Sequence, residues 1–180
     1  MSSPDPRHAL RIAVVLAAAI GLSGCLRPLY GPTASGERMD DALAAIQVST
    51  VSAPVGQEQL GHQLRSELVF DLDGSGRPPP KRYKLEIQVA ERSQSPIVDT
   101  ETGRADSATL FGDADYVLTA LGDGQVIAKG RASGSATYDR SPQRFANIRA
   151  AREAEIRLSK LLSEQIRTRL AARLASGAPS

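Results

Sequence analysis

The N-terminal segment constrains this chain most, because it decides which residues can belong to the folded domain. Two arginines and a histidine precede an apolar run from Ile12 to Leu22, which leads into Ser23, Gly24 and Cys25. A positive start, a short apolar core and small residues before a cut are typical of a secretory signal peptide. A cysteine directly after the cut indicates a lipoprotein signal. We therefore predict a signal peptide over residues 1–24 and acylation of Cys25.

Two other interpretations of this segment fit less well. The apolar run has 11 residues, whereas a membrane-spanning helix needs roughly 20. A secretory signal without lipidation leaves Cys25, the only cysteine in the chain, unexplained. The next residue is Leu26 and not an aspartate, which permits export to the outer membrane in bacteria that sort lipoproteins by this position. The sequence thus predicts a protein anchored by acyl chains such as palmitate on the periplasmic side of the outer membrane.

Composition excludes several classes of function. The net charge is +2, so no strong positive field marks the chain as a nucleic-acid-binding protein. Aromatic residues make up 4% and tryptophan is absent, which disfavours a stacking platform for sugars or bases. His8 lies in the predicted signal peptide, and His62 has no second histidine or thiol with which to form a metal site or a nucleophile–base pair. We expect no cofactor, no metal and no catalysis.

The mature chain would hold roughly 156 residues, enough for one domain with a single core. Residues 31–41 are polar and show no apolar period, which is typical of a tether. We therefore assign residues 25–45 to a lipidated N-terminus and tether, 46–175 to an α/β domain, and 176–180 to a disordered tail.

Hydrophobic periodicity predicts six elements in the domain. A strand begins at Ile46 and stops at Pro54, and a helix with leucines four residues apart follows over 57–72. Strands are predicted over 82–92, 108–121 and 125–138, and a long helix over 145–174. The apolar stripe of the long helix contains Ile148, Ala151, Leu158, Leu162, Ile166 and Leu170. The predicted fold is α+β: a four-stranded mixed sheet with two helices packed on one face, in the order β-α-β-β-β-α.

Side-chain alternation also predicts what each face of the sheet carries. In the last strand the side chains at every second position, from Val126 to Ala136, are small or apolar. Such a row would let a helix approach the sheet closely. The opposite, open face is predicted to carry Arg82, Lys84, Arg92, Lys129 and Arg131. Arginine and lysine across neighbouring strands suit phosphate or carboxylate groups, although ordinary solvation explains them equally well. A register error of one residue would invert the assignment.

Asp113 and Asp115 are spaced for one face of a strand. Paired carboxylates can hydrolyse glycosides, but at this spacing surface acids are the preferred interpretation. With no nucleophile and base elsewhere in the chain, a hydrolase is the least favoured function.

Two segments resemble a known family. The stretch Cys25-Leu26-Arg27-Pro28-Leu29-Tyr30-Gly31 resembles the start of mature LPS-assembly lipoproteins of the LptE family, especially the alphaproteobacterial type. The segment from Tyr138 through Phe145-Ala146-Asn147 to Leu170 is similar to that family's last strand and helix. The predicted order of elements also matches its fold.

The resemblance implies a non-catalytic role. Members associate with the outer-membrane β-barrel LptD, support its assembly and take part in inserting lipopolysaccharide into the outer leaflet. Basic residues on the sheet are associated with lipopolysaccharide binding in the family, and Lys84, Arg92, Lys129 and Arg131 are the candidates here. The alternative is an auxiliary lipoprotein of a lipid-trafficking ABC transporter system.

Overall fold

The computed structural model describes Thr33 and residues 36–73, 79–95 and 107–176, so the predicted signal peptide, Cys25 and the stretch up to Gly31 lie outside the described residues. The described elements are α1 (Met39–Ala44), β1 (Ile46–Ser52), α2 (Glu58–Asp73), β2 (Tyr83–Gln94), β3 (Ser107–Ala120), β4 (Val126–Asp139) and α3 (Arg144–Ser176). Apart from α1, the order is the predicted one.

The four strands form one mixed sheet in the order β1-β2-β3-β4. β1 runs parallel to β2, whereas β2, β3 and β4 pair antiparallel. The parallel pair is joined through α2, since parallel neighbours need a long crossover connection. Both α2 and α3 contact the same face of the sheet, so the predicted α+β fold is confirmed.

The core fills the space between this packed face and the two helices. Alternate residues of β2 and β3 point into it, because successive side chains of a strand face opposite sides. They are Leu85, Ile87, Val89, Leu110, Ala114, Tyr116 and Leu118. From α2 come four leucines at a spacing of four residues: Leu60, Leu64, Leu68 and Leu72.

Helix α1 was not predicted, because six residues are too few for an apolar period to be recognised. Met39 and Leu43 are only 2% and 1% exposed. The backbone N–H groups of Arg82 and Tyr83 both donate to the Ala45 carbonyl, which fixes the end of α1 to the start of β2. Residues 39–45, which the sequence assigned to the tether, therefore pack with the domain, so the predicted boundary at residue 46 lies too late in the chain.

Helix α3 lies close against β3 and β4, as the small residues of β4 predicted. The packed face of β4 carries Ala128, Gly130, Ala132, Gly134 and Ala136. A Cβ atom added to Gly112 of β3 would lie 2.9 Å from Leu158 Cδ2 of α3. Because Leu158 is fully buried, it could not move aside, and this approach requires glycine at position 112.

The N-terminal end of α3 departs from the predicted stripe. The first buried residue of the helix is Ala154, and burial continues to Ala171. Ile148, which the sequence placed in the stripe, is 47% exposed. The first turns of α3 carry no buried residue, so the 3.6-residue period continues beyond the surface that it packs against.

Cationic and amide side chains cap both free edges of the sheet. On β4, Arg157 and Gln165 donate to the carbonyls of Thr137 and Ser133, each at 2.9 Å. Two further arginines of α3 bind β4 carbonyls in the same way: Arg169 donates to Arg131 and Arg173 to Ile127. On β1, Arg65 donates to the carbonyls of Val48 and Ser49. Lys81 donates to the Ile46 carbonyl of β1 and to the Ala44 carbonyl at the end of α1. Capped edges disfavour the addition of another strand.

Candidate binding face of the sheet

The structure places the four candidate residues on the open face, away from the helices. Lys84 and Arg92 lie on β2, opposite Thr119 and Phe111 of β3. Lys129 and Arg131 lie on β4, opposite Val117 and Asp115. Arg82 precedes β2 and is engaged elsewhere, since its guanidinium binds the carboxylate of Glu37 at 2.6 Å.

Three acids of this face pair with its bases, which the sequence did not reveal. Asp115 lies directly across from Arg131, and the guanidinium binds both carboxylate oxygens, at 2.7 and 2.8 Å. This bidentate pair holds the pKa of Asp115 below its usual value. The pairing depends on the cross-strand register, so no single strand could show it.

The two basic residues of β2 are also balanced by acids. Arg92 Nη1 lies 3.3 Å from Asp113 Oδ2, and its guanidinium stands over the Phe111 ring, 5.1 Å from the centroid. Lys84 Nζ lies 2.8 Å from Glu86 Oε1 on the same strand. Both side chains are thus held in place on the sheet surface by contacts within the face.

Lys129 differs from the other three. It is exposed and makes no hydrogen bond or ion pair with another described residue. The other three bases each contact a carboxylate, of Glu86, Asp113 or Asp115. Lys129 contacts none among the described residues, and its cross-strand neighbour is the apolar Val117.

A depression of about 710 Å³ lies in the open face beside this lysine. Its rim includes Lys129 and Arg131 on β4, Gln88 on β2, and Thr50 and Ser52 on β1. The volume is within the range of small-molecule sites, about 300–1,000 Å³. It offers ammonium, guanidinium, amide and hydroxyl groups, and all of these can donate hydrogen bonds to an anion. Two carboxylates also line it, Glu86 and Asp115, and each is paired with a base of the face.

Groups beneath β4 support this part of the face. Gly130 leaves room for Tyr116, whose hydroxyl oxygen would lie 2.7 Å from a Cβ atom at that position. Burial raises the pKa of the Tyr116 hydroxyl, which is hydrogen-bonded to Arg169. Arg169 also donates to the Arg131 carbonyl, so α3 braces the backbone that carries Lys129 and Arg131.

Asp113 and Asp115, the carboxylates considered for catalysis, each pair with an arginine of the open face. The lowered pKa of Asp115 is the opposite of what a general acid needs. His62 is exposed on α2. No three histidine, cysteine, aspartate or glutamate side chains in the described ranges are placed to hold a metal ion, and none of the described helices could span a membrane.

Two half-buried carboxyls lie on the packed side of the sheet. Burial raises the pKa of Glu155 on α3. Burial also raises the pKa of Glu91 on β2, and the nearby charge of Glu155 raises it further. One buried oxygen of each carboxyl has no hydrogen-bond partner, so the two acids weaken this end of the packing between α3 and the sheet.

Comparisons with known proteins agree with this architecture. The sequence model of the family described as “LptE: Lipopolysaccharide-assembly” matches residues 43–170. A Caulobacter crescentus CB15 protein described as a lipoprotein has the same fold, with a TM-score of 0.59 and 23% identity over 79% of this chain and 98% of that chain.

More distant solved structures are also similar. A minor lipoprotein from Acinetobacter baumannii shows 12% identity and a TM-score of 0.41, covering 68% of this chain and 91% of its own. Rare lipoprotein B from Shewanella oneidensis shows 14% identity and a TM-score of 0.36, covering 72% of this chain and 92% of its own. No curated protein matches the chain by sequence.

Proposed function

Because the chain belongs to the LptE family of lipopolysaccharide-assembly lipoproteins, we propose that it binds lipopolysaccharide through the open face of its sheet. The observation that carries this proposal is Lys129, a cation with no ion pair among the described residues, at the rim of a depression that Arg131, Gln88, Thr50 and Ser52 also line. The carboxylates in the same lining, Glu86 and Asp115, are each paired with another base. Lipopolysaccharide carries phosphates and acidic sugars, and ammonium and guanidinium groups bind such anions. The protein acts as a binding module and not as an enzyme.

The geometry favours an order in which the bases of the face are used. An approaching anion meets Lys129 first, because every other base of the face already contacts a carboxylate. Arg131 comes next, since Asp115 uses two of its N–H groups and a guanidinium has five. Exposed ion pairs contribute little to stability, so Lys84 and Arg92 can exchange their carboxylates for phosphates at small cost.

We further propose that the protein associates with the LptD barrel. Both edges of the sheet are capped by side chains, so the domain can lie inside a β-barrel without adding a strand to it. Its open face is polar, which suits the polar lumen of such barrels. Acylation of Cys25 would hold the domain at the outer membrane, where the barrel is located.

The proposed binding of lipopolysaccharide is tested by measuring how much of it co-purifies with the full-length lipoprotein from cell envelopes. Lys129→Glu combined with Arg131→Glu should reduce the bound amount by about tenfold or more, because charge reversal repels the phosphates. Lys160→Glu is the matched control, since Lys160 is an exposed lysine on α3 and the change in charge per site is the same. Equal amounts bound to both variants and to the natural protein would remove the open face from the proposal.

Isolation of the complex in detergent tests the second part. The natural lipoprotein should co-purify with an intact LptD barrel. Recovery of the lipoprotein alone, or with a lipid-trafficking ABC transporter, would contradict the barrel association while leaving lipopolysaccharide binding open to the first experiment.

A further inference from the structure

The start of α3 is a helical surface without a partner in the described part of the chain. None of its first ten residues, 144–153, is buried. Phe145 is 82% exposed and Ile148 is 47% exposed. A helical extension of this length is only marginally stable by helix propensity alone. An exposed phenylalanine adds no stability from burial in the core.

The charges of this surface are basic, and the charge of Arg152 interacts with the nearby carboxyl of Glu155. No acidic residue occurs between Asp139 and Glu153, a stretch that includes Arg144, Arg149 and Arg152. None of these three arginines forms a hydrogen bond or ion pair with a described residue. A cation in the first turn of a helix opposes the helix dipole by about 0.3–1 kcal/mol, so Arg144, the first residue of α3, is unfavourably placed there.

The helix start is nevertheless firmly fixed. Asn147 accepts a hydrogen bond from the Ser141 N–H at 2.6 Å and donates to the Ser141 carbonyl at 2.8 Å. The Ser141 hydroxyl accepts from the Gln143 N–H at 3.2 Å. The two hydrogen bonds between Ser141 and Asn147 fix the segment before α3 to the first turn of the helix. The exposed surface therefore belongs to a helix that is already formed.

Two arginines lie between two apolar residues along one line of this helix. Phe145, Arg149, Arg152 and Ile156 follow the spacing i, i+4, i+7, i+11, which places them on one face. All four are exposed, Ile156 at 39%. We call this row the α3 stripe.

The presence of apolar and basic residues on one line of the helix discriminates between kinds of partner. A bilayer that took up Phe145 and Ile156 would also have to take up Arg149 and Arg152, whereas an interfacial helix separates apolar and charged residues onto different faces. An added strand has no free carbonyl row on β4, where α3 caps the edge. A partner helix with carboxylates between apolar residues can pack on Phe145 and Ile156 and pair with the two guanidiniums of the stripe.

We propose that the α3 stripe binds an acidic amphipathic helix of a protein partner. The stripe is at the opposite end of the sheet from the place where the N-terminal chain enters. Glu37 and Arg82 fix that chain beside the start of β2, and the stripe follows the end of β4, which runs in the same direction as β2. A strand of this length spans roughly 40 Å, so the partner contact and the predicted lipid anchor do not compete for space.

Photocrosslinking of the full-length lipoprotein in its own cells tests this proposal. Benzoylphenylalanine at position 145 replaces one aromatic ring with another and should crosslink to a protein. Mass spectrometry should show that the crosslinked peptide carries aspartate or glutamate at helical spacing. The same probe at Glu164, an exposed position of α3 outside the stripe, is the matched control and should give no such adduct.

Charge variants complete the test. Arg149→Glu with Arg152→Glu should reduce the adduct at position 145 by about tenfold or more, whereas Arg149→Lys with Arg152→Lys should retain it. The proposal is overturned by an adduct with lipid alone, by a peptide without acidic residues, by the absence of an adduct, or by an adduct that charge reversal leaves unchanged. None of these outcomes depends on whether the sheet binds lipopolysaccharide.

Discussion

The two faces of β4 show how one strand can meet two unrelated demands. Toward α3 the strand presents Ala132, Gly134 and Ala136, whose small size sets the distance of the helix. Toward solvent it presents Lys129 and Arg131, which lie across from Val117 and Asp115. Side-chain volume is thus constrained on one face of the strand and charge on the other. Substitutions on the packed face should therefore change stability, and those on the open face should change binding.

The largest expected effect comes from a side chain that packs on the small residues. Leu158→Ala should lower the free energy of unfolding by about 2–5 kcal/mol, because Leu158 is fully buried and its removal leaves a cavity. Urea denaturation followed by circular dichroism measures this. Leu161→Ala is the matched control, since Leu161 is 37% exposed and should lose clearly less.

The opposite change, added volume, tests the packed face from the other side. Gly112→Val should lower the free energy of unfolding by about 1–3 kcal/mol, because the new side chain collides with Leu158. Ser135→Val on the open face, directly across from Phe111, adds a similar side chain and should change stability by no more than about 0.5 kcal/mol. Equal losses in both variants would contradict the distinction between the faces.

A smaller effect on stability should depend on pH, because the half-buried carboxyls Glu91 and Glu155 lie on the packed side of the sheet. The raised pKa of Glu155 means that the folded protein binds this proton more tightly than the unfolded chain does. The free energy of unfolding therefore falls as pH rises from the usual carboxyl pKa, about 4.3, through the raised value. Glu155→Gln should be more stable than the natural protein at about pH 8, and this gain should vanish below about pH 4.

Thermal unfolding across that pH range measures the effect of Glu155. Glu164→Gln, at an exposed position of the same helix, should show no comparable gain. A gain at Glu155 that persists in acid would mean that packing, and not the carboxyl charge, is responsible.

The smallest effect on stability should come from the open face. Lys129→Glu should change the free energy of unfolding in urea by no more than about 0.5 kcal/mol. The reason is that Lys129 is exposed and unpaired among the described residues. A large loss of stability would show that Lys129 supports the fold, and any loss of binding could then no longer be assigned to the open face.

The sequence predicted the parts of this molecule that depend on local periodicity. Alternation in β2 assigned Leu85 and Lys84 to opposite faces, and the leucine spacing of α2 identified its buried side. Features that depend on where segments meet could not be predicted. The Arg131–Asp115 pair requires the register of β3 with β4, and the capping of β4 by Arg157 and Arg173 requires the position of α3 along that edge.

Two errors have related physical causes. The buried α1 contains only Met39, Leu43 and alanines around its two aspartates, so its short sequence looks like a polar tether. Ile148 continues the period of α3, but a period records which residues share a face and not where the opposing surface ends. Both errors concern the ends of segments, where sequence patterns carry little information about packing.

A binding cycle tests the central claim, that the open face binds the phosphates of lipopolysaccharide, most directly. Calorimetric titration would compare the natural protein with Lys129→Glu, each against intact and enzymatically dephosphorylated lipopolysaccharide. We predict that the substitution weakens binding of the intact ligand by about tenfold or more and has little effect on the dephosphorylated one. Equal losses with both ligands, or no loss with either, would contradict the account.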